Sequence, residues 1–333
     1  MENAVRTRLQ AVRFGEVQHH KNMAIVPLLC PDDGKFQYLT LGEALATWNI
    51  AVTEVSASGS VPELLVVNRG NKPVLLVDGE ELAGAKQNRV LNTSILLKKL
   101  SQTKIPVSCT EQGRWSYASK CFGESGNVMD HKSRSRKARA VQCSLEASGV
   151  HESNQGQVWQ DIAALQSKAG ASSATSAMSD VFKAREEDLK KCIETFQCMP
   201  NQVGLLAIID GQPAGMDMVS LSSAYTRIHP KLVRSYTLEG LLNEKAKHIP
   251  ADGITARAKE FLAEITSAQE CRFPSVGHGT DHHYKGEALA GTALIHEKEV
   301  IHACFFRLDE PEESGNMASC STPDQNRRTF CGG

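Results

Sequence analysis

Apolar and polar positions change their rhythm once along the chain. Up to about residue 122, apolar residues come in short runs bounded by turn formers. Residues 24–29, 61–69, 72–79, 89–97 and 104–109 each read as a strand. Gly70-Asn71 between the second and third runs predicts a hairpin, and Pro106 places the last at an edge or strand end. A short helix is expected at 41–48. Many short strands at regular spacing predict an antiparallel sandwich or partial barrel.

From 123 to about 150 large apolar residues thin out and Ser, Gly, Lys and Arg dominate, which reads as a mobile connection. Beyond it the period becomes helical. Trp159, Ile162 and Leu165 share a face, and so do Phe182, Leu189, Ile193 and Phe196. A helix is expected from Pro230, at its first position, through Val233, Tyr236 and Leu241, and another through Ile254, Ala258, Phe261 and Ile265. Two hairpins, 204–219 and 292–306, are woven between the helices. The expected fold is α+β: a β-rich lobe (10–122) packed on a lobe of helices and hairpins (151–307). A basic Ser/Gly-rich connection (123–150) joins them, and a disordered tail (311–333) follows.

The chain has 333 residues, with 37 Lys+Arg against 38 Asp+Glu. That balance argues against a chain-wide nucleic-acid binder or membrane-surface binder. No apolar run approaches the roughly 18 residues of a membrane span, and the first residues lack the apolar core of a secretory signal. The ten cysteines are scattered with no CxxC pair, which excludes a zinc ribbon and reads as reduced thiols in a cytoplasmic protein.

Four polar stretches carry candidate chemistry. The first, 78–89, sets Asp78, Glu80 and Glu81 ahead of Lys86, Gln87, Asn88 and Arg89, directly after an apolar strand. Gln, Asn and Arg together suit carboxylate, phosphate or ribose groups; an exposed hairpin with surface ion pairs is the other reading. The second, 108–115, offers Glu111, Arg114 and Trp115 around Gly113, either an anion clamp with an aromatic platform or a structural Trp under a loop. The third, 276–283, gathers His278, Asp281, His282 and His283. No recognised metal spacing is present, and adjacent histidines on a strand point to opposite faces, so no metal is assigned and Asp281 stands as a candidate polar group. The fourth, 131–139, holds five Lys/Arg without an acid or an aromatic, a solvated segment or a phosphate-facing one.

The run LLVDGEELAGAKQNRVLNTS followed by IPVSCTEQGRW, and the later TDHHYKGEALAGTALIHEKEVIHACFF, resemble the ARG and Rhodanese-Phosphatase-superfamily-associated Protein domain family over residues 10 to 307. The family pattern has an Arg shortly after the position of Asp281, where this chain has His282 and His283. The resemblance implies a place in ADP-ribose or NAD metabolism, alongside ADP-ribosylglycohydrolase (ARG) or phosphatase-type partners. It assigns no cofactor.

Two functions remain open. In one, the chain is an enzyme acting on an ADP-ribose-like nucleotide or related phosphorylated ligand. Glu80, Glu111 and Asp281 would be its catalytic groups, and Lys86, Gln87, Asn88, Arg89, Arg114 and Trp115 would bind the ligand. In the other, it is a non-catalytic binding or partner subunit of an ADP-ribose-processing or phosphatase system. Convergence of Glu80, Arg89, Arg114 and Asp281 on one pocket would favour the first.

Overall fold

Side-chain alternation decides how the largest sheet is used. In the strand Met23–Leu29, Met23 and Ile25 enter one core while Ala24, Val26 and Leu28 enter another. Every position is apolar because both faces of the sheet are covered. The computed structural model describes residues 1–243 and 253–308, so the expected tail lies outside the described residues. The sheet has nine strands, in the order Arg13–Phe14, Met23–Leu29, Gln202–Ile209, Gln212–Val219, Glu299–Arg307, Leu289–His296, Thr280–Lys285, Gln269–Pro274, with Gln18–His20 also on Met23–Leu29. Tyr225, Ile228, Leu232 and Tyr236 of the long helix Ser222–Leu242 cover one face. Helices Asn3–Ala11 and Ile254–Ser267 cover the other through Val5, Leu9, Phe261 and Ile265.

Both hairpins expected in the second half are present and lie side by side in this sheet. The fold is mixed helix and sheet, but the second half is not chiefly helical: it contributes six of the nine strands.

The first half builds a closed six-stranded barrel, Ser101–Cys109, Glu63–Asn68, Ile50–Glu54, Phe122–Val128, Glu80–Gly84 and Arg89–Leu91. Val52, Leu64, Val66, Leu82, Leu91, Ile105 and Phe122 are part of its core. The expected hairpin over 61–79 does not form. Glu63–Asn68 stays in the barrel, whereas Val74–Leu76 joins a three-stranded sheet with Ile95–Leu97 and Leu39–Thr40. Asn68 explains the divergence: its amide donates to the carbonyls of Lys72 and Lys98, both at 2.9 Å, and steers the chain out of the barrel. Thr40 and Glu43 form a reciprocal cap at the start of the short helix Leu41–Ala46.

Two other expectations are corrected. The stretch 123–150 is no loose connection. It completes the barrel strand Phe122–Val128 and then forms the helix His131–Ser148, capped by Asp130 through a 3.0 Å bond from the Ser133 amide. Its buried face carries His131, Ser133, Arg134 and Lys137, so no apolar period marks it. The helix expected from Pro230 begins at Ser222, with Pro230 inside it.

That basic helix is docked by charge. The Arg134 guanidinium, fully buried, grips Asp217 of the large sheet with two bonds of 2.7 and 2.9 Å and reaches Asp78 of the barrel side at 3.3 Å. Lys137 contacts the other oxygen of Asp78 and donates to the carbonyls of Leu91 and Asn92. Tyr236 donates to Asp217 at 2.6 Å, and His302 lies between Asp217 (3.1 Å) and Ser94 (2.8 Å). Gly79, at φ 81°, makes room: a Cβ there would stand 2.9 Å from the Arg134 side chain.

Burial alone would raise the Asp217 pKa, but Arg134 and His302 outweigh it and hold the carboxyl at about 2. Its folded value lies below the unfolded value of about 3.9, so its stabilisation is complete above pH ~4 and is lost as pH falls toward 2. Asp217→Asn leaves Arg134 with Asp78 as its carboxylate partner and should cost about 3–5 kcal/mol, read as a lower urea midpoint. The variant should also lose part of the native acid limb. A midpoint equal to the native one would show that the junction does not hold the two halves together.

Candidate functional site

Three chain reversals meet at one end of the barrel, after Glu54, Gly84 and Cys109. They carry most of the residues singled out in the sequence: Lys86, Gln87 and Asn88 on one loop, and Glu111, Arg114 and Trp115 on another. Cross-strand register shows what faces the lumen. Leu82 and Leu64 are barrel core, and their direct partners are Arg89 and Glu54, so both charged side chains enter the barrel mouth. Cys109 is opposite Arg89 on the next strand.

Arg89 is fully buried. Its Nη1 donates to the Gln87 side chain (2.9 Å) and to the carbonyls of Gln87 and Asn88. Its Nε and Nη2 have no partner among the described residues, and neither does Glu54 Oε2. Burial pulls the Arg89 pKa below the usual value, with Cys109 and Glu54 acting the other way. The Trp115 ring covers the guanidinium at 5.5 Å and is itself 47% exposed. Lys86 Nζ stands 5.3 Å from Trp115 and 5.2 Å from Tyr117, held by the Ser58 carbonyl at 2.8 Å. The mouth thus joins buried cationic donors to half-exposed aromatic faces.

Arg114 works differently. Its terminal nitrogens bind the carbonyls of Ala85 and Ser116, the Asn88 side chain and, at 2.5 Å, Glu111. Glu111 also accepts from the Asn88 amide at 3.1 Å and from Thr175 at 2.8 Å. Burial works to raise the Glu111 pKa, but those partners prevail and hold it below the ordinary carboxylate value. Gly113 lets this loop lie against the segment before the helix Met178–Ala184, since a Cβ would come within 2.9 Å of Thr175 Cα. Asn88, Glu111 and Arg114 are therefore one framework that sets the loops, with Arg89 inside it.

Glu81, adjacent to Glu80 but on the opposite strand face, belongs to the 78–89 stretch but is not among its expected catalytic groups. Its Oε1 accepts from Thr110 at 2.9 Å, while Oε2 has no hydrogen-bond partner among the described residues. Burial pushes its carboxyl up to about 7, against the help of Thr110, Ser125 and Asn127 and with a further push from Glu111. The signal that could have found it is the doubled Glu80-Glu81, which on a strand must send one carboxyl to each face.

The remaining candidates lie elsewhere. Glu80, at the other end of its strand from Gly84, accepts from the Val77 amide at 2.7 Å and from Lys231 at 2.5 Å. Asp281 pairs with His151 at 2.8 Å; burial raises its pKa and His151 opposes the rise. The histidines around it are dispersed. His282 bonds Glu270 at 2.5 Å, and His278 lies against His296 with ring centroids 4.7 Å apart. His283, driven by burial down to about 3, has neither ring nitrogen partnered among the described residues. Glu80, Arg89, Arg114 and Asp281 therefore do not converge: Arg89 and Arg114 share the mouth, while Glu80 and Asp281 lie elsewhere.

Among the described residues, two groups bring potential metal ligands within 4.8 Å: Asp217, His302 and Cys304, and Glu2, Glu270 and His282. In the first, Arg134 already neutralises Asp217; in the second, the Met1 ammonium and Arg272 already face Glu270. Neither fits a cation better than the pairs it makes. No helix is long and apolar enough to cross a membrane among the described residues.

The model of the ARG and Rhodanese-Phosphatase-superfamily-associated Protein domain matches residues 11–306, nearly the whole chain. No curated protein and no solved structure matches it.

Glu81 gives a pH test of the site. A carboxyl raised from 4.5 to about 7 binds a proton in the folded state that the unfolded chain has lost. Stability should therefore fall as pH rises through that window. Glu81→Gln should flatten this slope and raise the thermal midpoint at pH 8 relative to the native chain. An unchanged slope would place the Glu81 carboxyl in an ordinary, ionised state.

Proposed function

The chain belongs to the ARG and Rhodanese-Phosphatase-superfamily-associated Protein domain family, and on that premise we propose that the barrel mouth binds a phosphorylated, nucleotide-type ligand of the ADP-ribose or NAD kind. The observation that carries this reading is the pair of orphaned Arg89 donors, Nε and Nη2, in a fully buried guanidinium. Buried donors without acceptors are costly, and a planar fork with two free positions matches phosphate oxygens. Lys86 adds a second cation, and Trp115 and Tyr117 offer faces on which a purine stacks. Gln87 and Asn88 support the mouth from the same loop, and Arg114 fixes the loops around it. The family name, which records association with ARG and phosphatase-superfamily systems, agrees with such a ligand and with a partner from those systems.

Binding is favoured over catalysis because each candidate catalytic carboxylate is already engaged: Glu80 by Lys231, Glu111 by Arg114 and Asp281 by His151. One observation favours an enzyme. Glu81, with its carboxyl at about 7, lies near a Glu111 held ionised, and two carboxyls pushed apart in this way divide into acid and base.

Thermal-shift and calorimetric titrations with ADP-ribose, NAD and pyrophosphate test the reading. A ligand at 100 times its Kd should stabilise the fold by about 2.7 kcal/mol. Arg89→Lys keeps the charge but not the fork, and should weaken binding roughly tenfold to a hundredfold. Arg136→Lys, at a position bonded to Asp161 on the outer side of the basic helix, should change affinity little. Equal losses at both positions would mean diffuse electrostatics, and no shift with any of the three ligands would sink the proposal.

A further inference from the structure

A second concavity lies away from the barrel mouth. Between the short helix Leu41–Ala46, the barrel strand Phe122–Val128 and the long helix Ser222–Leu242 is an open cleft of about 680 Å³. That is the size of a small-molecule site. It lies toward the Glu80 end of the strand Glu80–Gly84, while the mouth loop carrying Lys86 and Gln87 lies past the other end.

The inner wall is an ion triad. Lys231 is shared by Glu80, itself 2% exposed, and by Glu124, whose side chain is 28% exposed. Glu80 is the permanent partner, and Glu124 presents the carboxylate that a ligand can reach. Two glycines line that wall, one for closeness and one for its backbone conformation. A Cβ on Gly42 would stand 2.7 Å from Glu124 Oε2, and a Cβ on Gly126, at φ 81°, would meet nothing within 4 Å. Trp48 lies in the chain between Thr47 and Asn49, both of which line the cleft. It is 86% exposed and holds φ at 57°, a conformation rare for a bulky residue. That left-handed turn ends the helix Leu41–Ala46 and leaves the indole in solvent beside residues that line the cleft.

The charges define the ligand class. Lys72, Arg227 and Lys231 are balanced by Glu43, Glu80 and Glu124, so the cleft is no trap for anions. A hydroxyl both donates and accepts, which suits a lysine beside a carboxylate, and the C–H face of a saturated ring suits an indole. We infer that the cleft binds a sugar ring, with Glu124 and Lys231 hydrogen-bonding its hydroxyls and Trp48 packing on its apolar face. The inference is independent of the barrel-mouth reading.

Tryptophan fluorescence and calorimetry on the full chain test it, with D-ribose, D-glucose, adenosine and inorganic phosphate as probes. A hydroxylated ring should change the emission saturably, and Trp48→Phe should abolish that change. Glu124→Gln should weaken binding about tenfold. Ala46→Trp, at an exposed lining position, should block the cleft without lowering the thermal midpoint, which keeps the test valid if Glu124→Gln folds poorly. Arg89→Lys should leave the affinity unchanged. Binding of ribose and glucose alike identifies a free sugar, and binding of adenosine with ribose identifies the sugar of a nucleoside; either supports the inference. Binding of phosphate alone, affinity untouched by both Glu124→Gln and Ala46→Trp, or no saturable signal from any probe would overturn it.

Discussion

A guanidinium sealed from water must keep its counter-charges, and Arg134 takes them from a turn beside the barrel and from a strand of the large sheet. Asp78 comes from the barrel side and Asp217 from the nine-stranded sheet, while Arg134 itself rides on the helix His131–Ser148. Desolvating such an ion costs several kcal/mol unless paired geometry offsets it. The two Asp217 bonds, with Tyr236 and His302 on the same carboxylate, provide that geometry. Lys137 repeats the arrangement at Asp78. Nothing apolar could substitute in place without new packing across all three bodies. The relative placement of barrel and sheet is therefore fixed by directional contacts rather than by burial alone.

The junction and the barrel mouth treat buried charge in opposite ways. At the junction nearly every donor and acceptor finds a partner. In the mouth Arg89 keeps two nitrogens unpaired and Glu54 one oxygen. Natural folds satisfy most buried polar groups, so a fully buried guanidinium with two unpaired nitrogens calls for a reason. A bound anion would remove the Arg89 deficit. The surrounding framework of Asn88, Glu111, Arg114 and Thr175 is well bonded, which keeps the orphaned groups in place.

The molecule also separates its polar chemistry by strand parity. Glu80 and Glu81 are neighbours in sequence, yet one supports the Lys231 pair beside the cleft and the other lies with Thr110 under the helical layer. His282 and His283 divide in the same manner, one bonded to Glu270 and the other buried near Asp78 and Lys137. A stretch that looks like one dense motif is distributed over several environments.

The sequence by itself determined the elements whose burial is apolar. Met23–Leu29 and the hairpin strands of the second half show as short, nearly continuous apolar runs, and the helix Ile254–Ser267 as a 3.6-residue period. It also marked the loops of the mouth, since Lys86 to Arg89 and Glu111 to Trp115 are strings of hydrogen-bonding residues at strand ends. Tertiary structure alone decided the rest. The helix His131–Ser148 was unreadable because Arg134 and Lys137 occupy its buried face, and only distant carboxylates make that burial favourable. The runs at 61–79 look like a hairpin, but Asn68 takes carbonyls from Lys72 and Lys98 and sends the second strand to another sheet. The division of labour between Arg89 and Arg114 was equally hidden. Two arginines of the same local character differ because backbone carbonyls of neighbouring loops reach one and leave the other short of acceptors. Local pattern records what a residue prefers, and only the assembled fold determines which partners arrive.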